Sequence, residues 1–249
     1  MMNSSKARVV ATIEARMTSS RLPGKVMMPA LGKPMLEHLT SRLKAVPSID
    51  EIVLATTVNA ADDVLVDFAK KDGIKFFRGS EDDVMARVIA AGESQDAQVL
   101  VEITGDCPVI DPDLVEQTIR MFFNHDVDYA SNSIVQSYPD GMETQVISMA
   151  ALKDAAARTN DPLDREHVSL FLWQRPEEYR IVHLVAPPSL YWPGLGLTLD
   201  EPDDYLLLTK IIETLAPVNP LFSCLDIVRL LKVNPSWLDI NGSVVRKTV

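Results

Sequence analysis

Cysteine is nearly absent from this chain, with two in 249 residues, Cys107 and Cys224. That excludes a disulfide framework and a four-thiolate zinc site, and it suits a reducing compartment, so a cytoplasmic protein is expected. The four histidines, His38, His125, His167 and His183, show no metal-ligand spacing. Glycine is scarce as well. The three-glycine dinucleotide fingerprint is missing, and a Walker phosphate loop fails because Ser19 and Val26 stand where glycine and Ser or Thr are needed around Gly24 and Lys25. Nicotinamide and flavin enzymes and P-loop NTPases thereby lose their main support. Cations are outnumbered, 24 Lys and Arg against 35 Asp and Glu for a formal charge of -11. Counterion release from phosphates needs clustered cations across a surface, so no nucleic-acid partner is expected. Membrane spans are missing too: the longest uncharged stretch, 181–199, contains Pro187, Pro188, Pro193, Gly194 and Gly196, and Val9 to Ile13 is too short for a secretory core.

What remains is 47% apolar, enough at this length to bury a core, and we expect a single domain over 1–249. The β-branched run Val9-Val10-Ala11-Thr12-Ile13 predicts a buried strand, followed by a loop from Arg16 to Lys25. Pro34 is placed to begin a helix running to about Val46. Strands are then predicted at 52–56, 74–77 and 99–103, and helices at 62–71, 82–93 and 111–123. Repeated β-α-β units imply an α/β fold, a mainly parallel sheet with helices on both faces and ligands at the carboxyl ends of the strands. Over 126–186 the pattern changes to strands at 129–135 and 143–148 around a Tyr138-Pro139-Asp140-Gly141 turn, with helices at 150–158 and 165–173. We read this as a smaller antiparallel excursion. Helices at 203–215 and 225–232 close the chain.

Residues 1–35 hold six cations (Lys6, Arg8, Arg16, Arg21, Lys25, Lys33) and one acid, Glu14, a local charge of +5 against -16 over the rest. A phosphate cradle explains that concentration, with small residues letting backbone N–H groups approach an anion that Arg and Lys neutralise. A solvated basic turn is the competing reading. Two more places carry chemistry. Glu102-Ile103-Thr104-Gly105-Asp106-Cys107-Pro108 puts a carboxylate just past a strand, and Leu199-Asp200-Glu201-Pro202-Asp203-Asp204 does the same before a helix. Magnesium takes one or two carboxylates with phosphate and water completing its shell, which Asp106 and Asp200 would supply. Caps of turns and helices are the plainer roles for both.

Together these stretches resemble the sugar-acid cytidylyltransferases that make CMP-sialic acid and CMP-KDO, and more closely the spore-coat polysaccharide biosynthesis cytidylyltransferase-like family. Ala15-Arg16-Met17-Thr18-Ser19-Ser20-Arg21-Leu22-Pro23-Gly24-Lys25 is similar to the family's N-terminal signature, with Thr18 where many relatives have glycine. The resemblance implies a nucleotide-diphospho-sugar transferase-like, Rossmann-like fold, with the triphosphate of CTP held by Arg16, Ser19, Arg21 and Lys25. It also implies magnesium on Asp106 and Asp200, and Gly105 at the nucleotide. Arg78 and Ser80 would contact the base, unless Ser80 merely caps a helix. Arg165 and His167 of the Asp164-Arg165-Glu166-His167-Val168 motif would meet the acceptor, unless they belong to an exposed helix start.

The implied activity is magnesium-dependent transfer of CMP from CTP to a sugar acid or similar hydroxylated acceptor, in cell-surface polysaccharide biosynthesis, with Lys25, Arg21 and Asp106 catalytic. Arg16, Arg21 and Lys25 would stabilise the departing pyrophosphate, and magnesium on Asp106 and Asp200 would polarise the α-phosphate. A uridylyl- or guanylyltransferase acting on a sugar phosphate is the first alternative, and a non-catalytic nucleotide-binding subunit the second. A homodimer is expected, paired through 126–186, with Tyr129, Tyr138, Phe171 and Trp173 suited to its interface.

Overall fold

The structure, a computed structural model, describes residues 7–246, and Lys6 lies outside them. The first strand, β1 (Val9–Glu14), leads through the cation-rich loop to a small hairpin, β2 (Pro29–Ala30) and β3 (Lys33–Pro34). Then come α1 (Met35–Leu43), β4 (Glu51–Thr57), α2 (Asp63–Asp72), β5 (Lys75–Gly79), α3 (Val84–Glu93), β6 (Val99–Thr104) and α4 (Pro112–His125). The second half adds β7 (Tyr129–Ser131), β8 (Gln145–Ser148), α5 (Met149–Arg158), α6 (Pro162–Glu166), α7 (Leu170–Trp173), β9 (Ile181–His183), α8 (Pro202–Leu215) and α9 (Cys224–Val233).

One seven-stranded sheet carries the fold, in the order β5-β4-β1-β6-β8-β7-β9. Strands β5, β4, β1 and β6 run parallel, and only β8 is reversed, since β7 and β9 are parallel to each other and antiparallel to β8. The expected antiparallel excursion is therefore an extension of the main sheet, its antiparallel character confined to β8. Strand period two divides the central strands between two cores. Val9, Ala11 and Ile13 pack with Leu36, Leu39 and Leu43 of α1 and with Val115 and Ile119 of α4. Val10 faces the opposite side, with Met85 and Val88 of α3 and Leu152 of α5. Burying each leucine of such a face is worth about 1.5–3 kcal/mol, so helix cover on both sides is what holds this sheet.

A third core joins Leu195, Leu197 and Leu199 to Leu207 and Ile211 of α8 and Ile227 of α9. These alternating leucines belong to the run read as strand-like before Asp200. It is extended but joins no sheet: backbone bonds tie it to Asp140 and Asp106 instead, with Leu197 N donating to Asp140 O (2.7 Å) and Leu199 N to Asp106 O (2.8 Å).

Three local expectations need correction. Pro34 precedes its helix rather than beginning it, because its N–H-less residue sits in β3 with extended backbone (φ -56°, ψ 149°). The helix expected over 165–173 breaks at 167–169, where Val168 takes φ 41°, a costly geometry for a β-branched residue. Tyr129, Tyr138 and Phe171 are buried within the chain and so unavailable to an interface. Of the four aromatic residues named, Trp173 alone is partly exposed.

Candidate active site

The loop after β1 doubles back on itself. Gly24 N donates to Met17 O (2.9 Å) and Gly24 takes φ 71°, a left-handed conformation that side chains resist. That turn points Lys25 under the carboxyl ends of β1 and β6. Gly105 makes a second close approach: its N–H donates to Glu14 O (2.8 Å), and a Cβ there would lie 2.7 Å from that oxygen. The ends of β1 and β6 are thus held together, and Asp106 leaves the sheet beside the loop.

Lys25 Nζ donates to Asp106 Oδ2 (2.8 Å) and to Asp200 Oδ1 (2.9 Å). Arg21 reaches the same Asp200 oxygen at 2.8 Å. Asp200 is aimed by its neighbours, for the buried Asp204 carboxylate accepts from the backbone N–H of Asp200 (3.1 Å) and Glu201 (2.9 Å). Arg246, bonded to Asp204 at 2.5 Å, and Asn241, at 2.8 Å, fix Asp204 in turn. Burial alone would oppose ionisation of Asp106, but Lys25 outweighs it and holds the carboxyl below its ordinary range. Burial likewise works against the Lys25 ammonium and is overcome by Asp106 and Asp200, leaving its affinity for the proton raised. Cys107, beside Asp106, has its thiol pushed well up by burial and then by that carboxylate, so it is an inert packing residue.

Around this triad lies a cavity of about 350 Å³, lined by Arg16, Ser19, Arg21, Lys25, Gly105, Asp106 and Asp200 together with Glu14, Arg87 and His167. Seven residues singled out for nucleotide and metal thus share one space. Arg16 is turned toward its rim, bonded to Glu81 (2.9 Å), which also accepts from Thr18 (2.8 Å) and Asn59 (2.6 Å). Ser19 Oγ accepts from Leu22 N at 3.5 Å.

A second cavity of about 440 Å³ adjoins it, lined by residues of 132–145 and 167–173 and by Arg246, with His167 common to both. The break at Val168 is what turns His167 into that shared wall. Burial, then Asp140, push the Glu143 carboxyl in this second cavity up to about 8.

Three candidates line neither cavity. Arg78 spends its guanidinium on Thr57 O (2.8 Å), Asn59 O (2.7 Å) and Asp63 (2.7 Å). Ser80 Oγ accepts from Asp83 N (3.0 Å), while Asp83, not Ser80, caps α3 by accepting from Ala86 N. Arg165 pins α6 to α3 through Asp83 (2.9 Å) and donates to Ala156 O (3.1 Å). Arg87 was missed because nothing but tertiary packing brings α3 over the end of β1. Glu14 and Glu102 left a signal, as acids inside otherwise apolar strands, and they meet on the face covered by α3. Among the described residues no three His, Cys, Asp or Glu side chains gather to ligate a metal.

Residues 10–211 match the family model described as cytidylyltransferase. The spore coat polysaccharide biosynthesis protein SpsF of Bacillus subtilis is 32% identical, over 91% of this chain and 95% of its own. The 3-deoxy-manno-octulosonate cytidylyltransferase of Nitratidesulfovibrio vulgaris is 29% identical, over 71% and 76%. Among solved structures, a cytidylyltransferase from Leptospira borgpetersenii superposes with a TM-score of 0.89 at 26% identity, over 98% of this chain and 99% of that one.

Proposed function

The chain belongs to the cytidylyltransferase family, and on that premise we propose that it transfers CMP from CTP to a hydroxyl of a sugar acid or similar acceptor, releasing pyrophosphate. One observation carries the reading: the Lys25 ammonium lodged between Asp106 and Asp200, 2.8 and 2.9 Å away. A cation already sits between two hard-oxygen donors from different loops, which is the donor set magnesium prefers with phosphate and water completing its shell. Asp106 and Asp200 would hold the ion, and when bound it supplies charge that polarises the α-phosphate. Such a transfer needs positioning and charge neutralisation more than a covalent nucleophile. Arg16, Ser19, Arg21 and Lys25 bind the triphosphate, and the three cations neutralise the departing pyrophosphate. The second cavity receives the acceptor, with His167 at the seam between the two substrates. SpsF and the octulosonate enzyme support a place in polysaccharide biosynthesis. No helix of the described residues is long and apolar enough to cross a membrane, and the reading carries with it a cytoplasmic homodimer.

The test is a pyrophosphate-release screen of CTP, UTP, GTP and ATP over a panel of sugar acids and sugar phosphates. CTP with a sugar acid is expected to respond. Release with UTP or GTP and a sugar phosphate would replace this reading, and tight nucleotide binding without release from any pair would leave a binding subunit.

A further inference from the structure

Two buried polar atoms of the first cavity's lining residues have no hydrogen-bond partner in the protein, Glu14 Oε1 and Arg87 Nε. A buried polar atom left unpaired is costly, so each marks a place where a ligand's polar edge completes the site. Arg87 is 4% exposed, and its Nη1 is already bonded to Ser80 O and Glu81 O. Its Nε–H is buried and without a partner.

The polarity of Glu14 is set from beneath. Tyr129 and Ser169 both donate to Gln145 Oε1. The amide nitrogen of Gln145 therefore faces the other way, and it donates to Glu102 Oε2. Glu102 and Glu14 are hydrogen-bonded to each other, and burial, then the charge of Glu102, raise Glu14 well above the usual carboxylate range. Glu14 is the member that keeps the proton and donates it to Glu102. Its remaining oxygen, Oε1, is then a carbonyl-type acceptor, beside an arginine N–H that is always a donor.

We propose that Glu14 and Arg87 read the base of the nucleotide, selecting an amino pyrimidine over a keto one. The 4-amino group of cytosine donates to Glu14 Oε1, and its ring nitrogen or 2-carbonyl accepts from Arg87 Nε. Uracil presents the reverse pattern at positions 3 and 4, setting acceptor against acceptor and donor against donor. Adenine shares the amino and ring-nitrogen pair, so this pair separates amino from keto bases. That the base is cytosine rests on the transferase reading above.

Calorimetric titration of the full chain with CTP and with UTP, in the presence of magnesium, tests the assignment. The unaltered protein should bind CTP at least about tenfold more tightly than UTP. Glu14→Met and Arg87→Met should each remove most of that preference by weakening CTP, leaving UTP within about twofold. Glu14→Gln, whose amide donates to Glu102 while its carbonyl meets the base, should keep the preference. A melting curve on each variant shows that it is folded, and if Glu14→Met is not, Arg87→Met carries the test. Equal binding of the two nucleotides by the unaltered protein, or a preference that survives in the folded Met variants, overturns the assignment and leaves cytidylyl transfer standing. Binding of neither nucleotide sinks the transferase reading itself.

Discussion

Lys25 and Asp200 are separated by 175 positions in the chain and by 2.9 Å between their charged atoms. The same ammonium bonds to Asp106 across 81 positions at 2.8 Å. Three loops that follow three different apolar runs are therefore tied at one point, and the consequences of loosening that point differ by residue.

Asp106→Asn keeps the size of the side chain and the turn at Gly105. Turnover with CTP should fall by about 100- to 1,000-fold, with the melting temperature nearly unchanged. Lys25→Met should cost as much turnover and also leave two carboxylates facing each other, destabilising the fold by about 1–3 kcal/mol. Pyrophosphate release and urea midpoints on both variants separate the two effects, and full turnover by Asp106→Asn would remove that residue from the chemistry.

Arg246 touches no expected substrate phosphate, yet it holds Asp204, which holds the backbone of Asp200. Arg246→Ala leaves a fully buried carboxylate with Asn241 but no cation. We expect a loss of about 2–4 kcal/mol in a urea titration, with weaker CTP binding. A change under about 0.5 kcal/mol would show that Asp204 keeps its place unaided.

Glu143 supplies a pH signature. Its carboxyl titrates at about 8 in the folded protein, against an ordinary 4.5, so the folded state binds the proton more tightly than the unfolded chain. Its contribution to stability is full below pH 4.5 and is lost as pH rises to about 8. Between pH 5 and 8 the unfolding free energy should fall by about 3–4 kcal/mol from this group, and Glu143→Gln should flatten that slope. An unchanged slope in the variant would mean that Glu143 is ionised throughout.

Gly105→Ala would force β1 and β6 apart at their carboxyl ends, since the new methyl would meet Glu14 O at 2.7 Å. The expected cost is about 1–3 kcal/mol in stability and a drop in CTP affinity, read by denaturation and calorimetry. Wild-type values for both would show that the strand ends can separate freely.

Homodimer formation should show as twice the chain's 27.6 kDa in light scattering at micromolar concentration. Since the buried aromatics are unavailable, the exposed apolar groups Val135, Leu163 and Val185, with the partly exposed Trp173, are suited to the contact. A mass of one chain would refute the pairing.

Much of the fold was legible because periodicity is local. Apolar runs alternating with amphipathic stretches named β1, β4, β5, β6 and the helices between them, since each pattern needs only its own residues. The small hairpin, the strand β9 and the break at Val168 were not, because short pairings and a strained backbone are imposed by distant contacts. The motifs at Arg16 to Lys25, Asp106 and Asp200 were written in consecutive residues, and so they could be picked out one at a time. Which side chains face which cavity was not written there. Arg78 and Arg165 are cations in suggestive motifs that the fold turns aside to nearby carbonyls and acids. Glu14 and Arg87 belong to no motif, and they meet because strand parity and the packing of α3 give them the same face. The sequence by itself determined which chemistry is carried, since charge and turn propensity travel with each residue. Tertiary packing decided which of those charges share a space, because that depends on distances no linear spacing encodes.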